Sequence, residues 1–366
     1  MSLAMSRRVM LGAVAAGAVG LAVAPDALGV RLRPAPGMIR LNSNENPYGP
    51  SPKALKVAAE AAARGAYYPG PIEEDLLAMI AERHNLALTN MALSSGSNEA
   101  LCAAMAAFGK KGRILVPGLT YGPHLRYGRN IGVEIVRVAL RADMSIDLAA
   151  MAAAVDDTIA MVYICNPNNP TGMTLDGEEL RAFCKSVGPN ATVLVDEAYN
   201  ELTDMPDYTS MVDLVRQNEN VIVMRTFSKI FGLAGLRIGY LMAPAELTKF
   251  IAEHIMSWPN VVGIATALVS YQDEIFTKFS KSKIVEGRQL VMNVFDEHDV
   301  PYLPSQTNFL YANVNQNATE FAKKMLQRNV RIRGIYEPYA TYSRVSMGRI
   351  EDLEVFARVF HEVYTG

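Results

Sequence analysis

Lys229 is the residue in this sequence best placed for covalent chemistry. It lies in Asn220–Pro244, NVIVMRTFSKIFGLAGLRIGYLMAP. There the β-branched run Val221-Ile222-Val223 reads as a buried strand that stops at Arg225, Thr226, Ser228 and Lys229. Gly232, Gly235 and Gly239 follow, with Arg237 among them. A lysine amine at the end of a buried strand can form a Schiff base with an aldehyde, and hydroxyls with an arginine can hold a phosphate. The stretch therefore suits a phosphorylated aldehyde. It equally suits a solvated loop with incidental charges, so the rest of the chain has to decide.

Further chemistry-bearing residues stand where other strands should end. Ser97 and Asn98 follow Met91–Ser94, Thr120 and Tyr121 follow Arg113–Val116, Asn166 follows Ile159–Cys165, and Asp196 and Tyr199 follow Thr192–Val195. Pyridoxal phosphate makes four demands on a protein, and each has a candidate here. Lys229 offers the amine. Asp196 offers a carboxylate to keep the pyridine nitrogen protonated. Asn166 and Tyr199 offer donors to the ring hydroxyl. The phosphate needs a helix N-terminus and fixed cations, which Gly96-Ser97-Asn98, Thr226, Ser228 and Arg237 can supply. Tyr121 can stack on the ring.

The elements that must position these groups alternate in type. Strands are expected at Met91–Ser94, Arg113–Val116, Glu134–Leu140, Ile159–Cys165, Thr192–Val195, Val221–Met224 and Arg237–Met242, with helical sequence between most of them. This rhythm predicts an α/β fold with a mostly parallel, doubly wound central sheet, whose ligands bind at the carboxyl ends of the strands. A long amphipathic run, Asp273–His298, precedes short strands near Asn308–Val314 and Val330–Arg333 and helices at Thr319–Arg328 and Glu351–Tyr364. That part reads as a smaller α+β domain. The expected division is a leader over 1–29, an N-terminal segment over 30–64 packing on the small domain, a large cofactor domain over 65–270 and the small domain over 271–366.

Composition narrows the classes. The chain has 366 residues, 50% apolar, with a formal net charge of -2 and no Lys/Arg block. That removes an electrostatic case for nucleic acid or an anionic membrane. Cys102, Cys165 and Cys184 are well separated, lack metal spacing and read as buried free thiols. At the N-terminus, Ser6-Arg7-Arg8-Val9-Met10-Leu11 precedes an Ala/Gly/Val-rich run to Ala24, with no acid before Asp26. Val9–Ala24 is short for a stable membrane span, which needs about 20 residues. The pattern resembles a twin-arginine export signal, whose substrates cross folded and cofactor-loaded. The expected location is therefore periplasmic or exported; a cytoplasmic protein with an apolar N-terminal helix is the alternative.

The ordered motifs Leu41-Asn42-Ser43-Asn44-Glu45-Asn46-Pro47-Tyr48-Gly49, Tyr68-Pro69, Gly96-Ser97-Asn98-Glu99, Asn166-Pro167-Asn168-Asn169-Pro170-Thr171-Gly172, Asp196-Glu197-Ala198-Tyr199, Thr226-Phe227-Ser228-Lys229 and Gly232–Tyr240 carry a resemblance, continued by Asn308-Phe309 and Ser343-Arg344-Val345. From about Ile39 to the C-terminus the chain resembles fold-type I, class I/II aminotransferases of amino-acid metabolism, most closely the histidinol-phosphate aminotransferase branch. The resemblance implies the pyridoxal-phosphate transferase fold, with Lys229 as Schiff-base lysine and proton carrier, Asp196 at the pyridine nitrogen, and Tyr199 and Asn166 at the ring hydroxyl. It further implies that Ser97, Asn98, Thr226, Ser228 and Arg237 hold the phosphate and that Tyr121 stacks. Tyr68 would reach the phosphate of a neighbouring subunit, hence a homodimer with shared sites. Arg344 would bind the substrate carboxylate and Arg333 a substrate phosphate. Asn168 and Asn169 read as turn formers, and His84, His124 and His298 as structural.

One departure concerns the substrate. Leu28–Ile39 contains no tyrosine, where the branch keeps one for the substrate phosphate. This absence, with export, weighs against histidinol phosphate and toward an amino acid. The expected reaction moves an amino group between an amino donor, histidinol phosphate or an amino acid, and a 2-oxo acid by ping-pong Schiff-base chemistry. A related decarboxylase acting on a phosphorylated amino acid is the nearest alternative, and a non-catalytic binding protein on this fold a more distant one. Ala191–Ala198 resembles a Walker B strand, but the chain has no Walker A sequence and no strand-linked G-x-G-x-x-G, which excludes a nucleoside triphosphatase and a dinucleotide oxidoreductase.

Overall fold

The structure is a computed structural model and describes residues 37–366, so the expected leader lies outside the described residues. The chain enters through β1 (Ile39–Leu41), then helices α1 (Pro52–Ala62) and α2 (Ile72–His84). β2 (Met91–Ser94) passes through Gly96 into α3 (Ser97–Phe108). β3 (Arg113–Pro117), β4 (Ile135–Val138), β5 (Ile159–Cys165), β6 (Thr192–Asp196), β7 (Val221–Thr226) and β8 (Gly239–Met242) follow. These seven strands form one sheet in the order β2-β8-β7-β6-β5-β3-β4, matching the α/β expectation. Every neighbouring pair is parallel except those made by β8, which runs antiparallel to both β2 and β7.

The strand expected over Arg237–Met242 thus begins at Gly239 and runs against its neighbours. The reason lies in the connection: a parallel return needs a crossover helix, and between β7 and β8 there is only a loop with one short 3-10 turn, Ala234–Leu236. Reversal brings the start of β8 to the edge where the other strands end, so Arg237 reaches the same edge as Lys229.

The strands are apolar on both faces because both are covered. On β6, Val193 and Val195 join one buried cluster and Leu194 the other; on β7, Val221 and Val223 alternate with Ile222 and Met224 in the same way. On β5, Val162 and Ile164 face one side while Met161, Tyr163 and Cys165 face the side packed by α3. The period of two therefore puts Tyr163, Cys165 and Asp196 on one face at the carboxyl edge.

The C-terminal part combines the long helix Glu274–Glu297 with β9 (Phe309–Asn313), β10 (Val330–Ile332), β11 (Tyr342–Ser346) and helices Ala318–Gln327 and Ile350–Thr365. β9 pairs antiparallel with β11, and a bridge between Arg333 and Arg344 brings β10 beside β11. β1 pairs parallel with β10, while α1 packs against the helix Val261–Gln272. Residues 42–49 run between the two parts of the chain: Asn44 N donates to Ser346 Oγ at 2.9 Å, and Asn46 Nδ2 donates to the Ile230 carbonyl at 2.7 Å.

Candidate active site

A cavity of about 210 Å³ opens at the carboxyl edge of the sheet. Of the residues singled out from sequence, Ser97, Asn98, Tyr121, Asp196, Tyr199, Thr226, Ser228, Lys229 and Arg237 line it. Asn166, Arg344, Tyr68 and Arg333 are not among the lining residues, although Arg344 bonds to Asn169, which is.

Lys229 follows β7, and its amine donates to the Asn44 carbonyl at 3.2 Å. Burial, followed by the positive charge of Arg344, pushes its pKa down to about 8, against the opposing pull of Asp196. About a tenth is therefore free amine at pH 7, far more than an ordinary lysine offers, as a nucleophile or proton carrier requires. Asp196 is 2% exposed. It accepts hydrogen bonds from the Tyr163 hydroxyl at 3.1 Å and the Ala198 amide at 3.2 Å. Burial raises its pKa to about 6 despite those two donors and Lys229. A carboxylate so placed gains from a cation arriving beside it.

The Tyr199 hydroxyl accepts from Asn44 Nδ2 at 2.9 Å and Asn169 Nδ2 at 3.3 Å. Asn166 turns its Oδ1 to the Leu175 amide at 2.9 Å, and its buried Nδ2 has no partner. A buried amide donor left open in this way requires an acceptor. Tyr121 is half-buried and its ring lies parallel to that of His124, 5.8 Å between centroids.

α3 begins at Ser97, so Ser97 and Asn98 belong to its first turn. No side chain caps this turn; the Glu99 amide donates to the Gly96 carbonyl at 3.0 Å, which leaves the Ser97 and Asn98 N–H groups for an anion. Gly96 holds φ at 77°, and a Cβ there would lie 2.1 Å from Arg237 Nη2. Gly239 lets β8 pass the turn, since a Cβ there would lie 2.2 Å from Ser97 N. Thr226 Oγ1 meets Ser228 Oγ at 2.9 Å, and Arg237 Nη1 donates to Ser228 Oγ at 3.4 Å and to the Ala234 carbonyl at 3.0 Å. The free N–H groups, hydroxyls and exposed guanidinium form a cradle for a phosphate.

Arg344 is 6% exposed; its Nη1 donates to Asn169 Oδ1 at 2.7 Å, its Nη2 donates to the Asn42 carbonyl at 2.9 Å, and its Nε has no partner. Arg333 is exposed on a separate shallow groove with Asn42, Lys323 and Arg331. Its guanidinium lies 5.3 Å from the Tyr336 ring, which has Arg344 at 5.4 Å. Tyr68 is 85% exposed and packs edge-on to Trp258.

Sequence reasoning missed several groups. Asn169, read as a turn former, lines the cavity and touches both Tyr199 and Arg344. Ser43, Glu45 and Cys165 also line it, and Asn44 ties Lys229 to Tyr199. Nothing in strand periodicity points to residues 42–49, because an irregular segment carries them in from the other part of the chain. Behind Asp196, Glu197 is fully buried and paired with Arg225 at 2.8 Å; it also accepts from Ser210 Oγ at 2.9 Å and Met211 N at 2.6 Å. This network fixes the strand end that carries Asp196.

Comparisons with known proteins agree with this geometry. A model of the family described as aminotransferase class I and II matches residues 36–360. The chain is 34% identical over 333 residues to histidinol-phosphate aminotransferase of Brevibacillus brevis, covering 90% of this chain and 91% of that protein. It is 32% identical over 330 residues to the histidinol-phosphate aminotransferase of Moorella thermoacetica, covering 89% and 85%. The crystal structure of histidinol-phosphate aminotransferase from Sinorhizobium meliloti in complex with pyridoxal-5'-phosphate matches with a TM-score of 0.82 at 26% identity, covering 90% of this chain and 91% of that one.

Proposed function

The chain belongs to the aminotransferase class I and II family and is a pyridoxal-phosphate-dependent aminotransferase, and within that activity we propose the following roles and substrates. One observation carries them: a depressed lysine amine, a buried carboxylate and an uncapped helix N-terminus with its arginine share a single cavity. Ser97, Asn98, Thr226, Ser228 and Arg237 would hold the cofactor phosphate. Asp196 would hold the proton of the ring nitrogen, Tyr199 and the open Nδ2 of Asn166 would face the ring oxygen, and Tyr121 would cover a ring face. When bound, the cofactor would supply an electron sink for the donor's α-carbon and a carrier for its amino group, so donor and 2-oxo acid would use one cavity in turn. Lys229 Nζ, about half of it free amine at pH 8, would take the proton from the donor's α-carbon and deliver it on the cofactor side instead of back to that carbon, as transfer of the amino group requires. Arg344, oriented by Asn169 and the Asn42 carbonyl, receives the anionic group of each substrate.

The donor is a small amine bearing an anion, either histidinol phosphate or an amino acid. The relatives favour the former; the missing upstream tyrosine and the exposure of Arg333 favour the latter. A donor panel scored by half-reaction absorbance decides between them. If histidinol phosphate is the donor, Arg333→Ala should raise its KM about tenfold or more while leaving KM for amino acids unchanged. Lys229→Ala should retain no borohydride-fixable cofactor; fixation at an unchanged level would reject the assignment of Lys229.

The same reading extends to assembly and location. The exposed Tyr67, Tyr68, Met256 and Trp258 support a homodimer in which Tyr68 serves the neighbouring site. Among the described residues no helix is long and apolar enough to cross a membrane. The Ser6–Ala24 pattern supports twin-arginine export, which fractionation and intact mass of protein made in its own host would test. The large and small domains are taken as 65–270 and 271–366; Ile39–Leu41 joins the small domain by the β1–β10 pairing, whereas Pro52–Ala62 packs on Val261–Gln272, which falls almost wholly within the large one.

A further inference from the structure

Asp196 is a buried carboxylate with few partners. Its two hydrogen bonds come from the Ala198 amide, within its own turn, and from the Tyr163 hydroxyl on the neighbouring strand. Tyr163 is fully buried and sits two positions before Cys165, which is in register with Asp196. Strand alternation therefore gives the tyrosine and the carboxylate a common face. His124 braces this tyrosine. Its ring centroid lies 4.3 Å from that of Tyr163 and its other side faces Tyr121. Neither ring nitrogen of His124 has a partner, and burial pushes its pKa down to about 3, so it packs as a neutral wedge and brings no charge to Asp196. The other titratable groups around Asp196 are Lys229 after β7, Glu197 beside it in the chain, and Tyr121 and Cys165. Glu197 is engaged by Arg225 on the far side of the strand end. Among the described residues, Tyr163 is thus the only side chain that donates a hydrogen bond to this carboxylate.

We propose that Tyr163 is a positioning residue whose hydroxyl, donating to Asp196 Oδ2, keeps that carboxylate ionised and oriented for the ring nitrogen of the cofactor. This rests on the reading that Asp196 faces that nitrogen. The hydrogen bond favours the ionised form. Its loss shifts the titration of Asp196 upward and leaves less carboxylate to meet a pyridinium at neutral pH.

The test uses the apo-protein and two ligands, pyridoxamine 5'-phosphate and its analogue with carbon in place of the ring nitrogen. Neither has an aldehyde, so Lys229 cannot react with them, and the phosphate titration is common to both. Affinities are measured by calorimetry from pH 5 to 9. The wild-type protein should prefer the pyridine ligand, with an acid limb that the carbon analogue lacks. Tyr163→Phe should move that limb up by about one pH unit and weaken the pyridine ligand about tenfold near pH 6.5, leaving the analogue unchanged. A wild type that does not distinguish the ligands refutes the reading of Asp196. A wild type that distinguishes them, with Tyr163→Phe showing the same limb or weakening both ligands equally, overturns the role of Tyr163 alone. If Tyr163→Phe does not fold, 3-fluorotyrosine at position 163, a stronger donor of nearly the same size, should move the limb down; an unmoved limb overturns the proposal.

Discussion

Lys229 and Asp196 are each displaced from ordinary ionisation chiefly by burial, in directions that suit the roles proposed for them. Because the Lys229 amine titrates at about 8, capture of pyridoxal phosphate by the apo-protein should accelerate as pH rises through that value and level off above it. Arg344→Gln removes the second-largest cause of the depression and should move the midpoint upward, as stopped-flow absorbance would record. Asp196 has the opposite consequence for stability. Its folded pKa, about 6, exceeds the unfolded value, so the folded state holds the proton more tightly and loses stability as pH rises between the two. Apo Asp196→Asn should accordingly be more stable than the wild-type apo-protein at pH 8, by about 1–3 kcal/mol, with the gap closing below pH 4. The same variant should bind the cofactor far more weakly. Denaturant titration at the two pH values, with and without cofactor, checks both halves.

At the scale of elements, the site depends on how closely β8 approaches the first turn of α3. Gly239 permits that approach, and its role is steric, since it sits in extended strand while a Cβ would meet the Ser97 amide at 2.2 Å. Gly239→Ala should separate the two elements, weaken cofactor affinity at least tenfold and cost about 1–3 kcal/mol of stability. Equilibrium dialysis and urea unfolding would measure the two effects, and unchanged affinity would contradict this account of the cradle. The Arg225–Glu197 pair makes a second element-level demand. Glu197→Gln leaves the Arg225 cation buried with only Glu201, at 3.4 Å, as a charged partner. The expected loss is about 3 kcal/mol in the apo-protein. The sequence made β5, β6 and β7 legible because they are covered on both faces and therefore read as unbroken apolar runs. β8 was legible as a strand but not in direction, because direction is set by the connection and the pairing partner.

For the whole molecule, the surface around Tyr68 is where the proposed homodimer can be tested. Trp258 is the only tryptophan of the chain and is 62% exposed beside Tyr68. If two copies meet there, its emission should be blue-shifted at micromolar concentration and move to the red on dilution, in step with the mass from light scattering. Trp258→Ala should shift the equilibrium toward monomer by about 2 kcal/mol or more, as removal of a central interface aromatic does. A red-shifted, concentration-independent emission from a stable dimer would place the interface elsewhere.

Sequence alone determined the placements that depend on residue type and on distance from a strand end. A lysine, an acid, an amide and hydroxyls placed after buried apolar runs converge on one edge in any doubly wound sheet, because that architecture aligns the carboxyl ends of its strands. Tertiary structure decided what depends on groups distant in the chain. It set Asn169 between Tyr199 and Arg344, brought the Asn44 carbonyl to Lys229, and placed Tyr163 against Asp196. It also left Arg333 on the surface, away from the central cavity. These outcomes follow from strand register and from the packing of an irregular segment, neither of which leaves a local periodic trace in sequence.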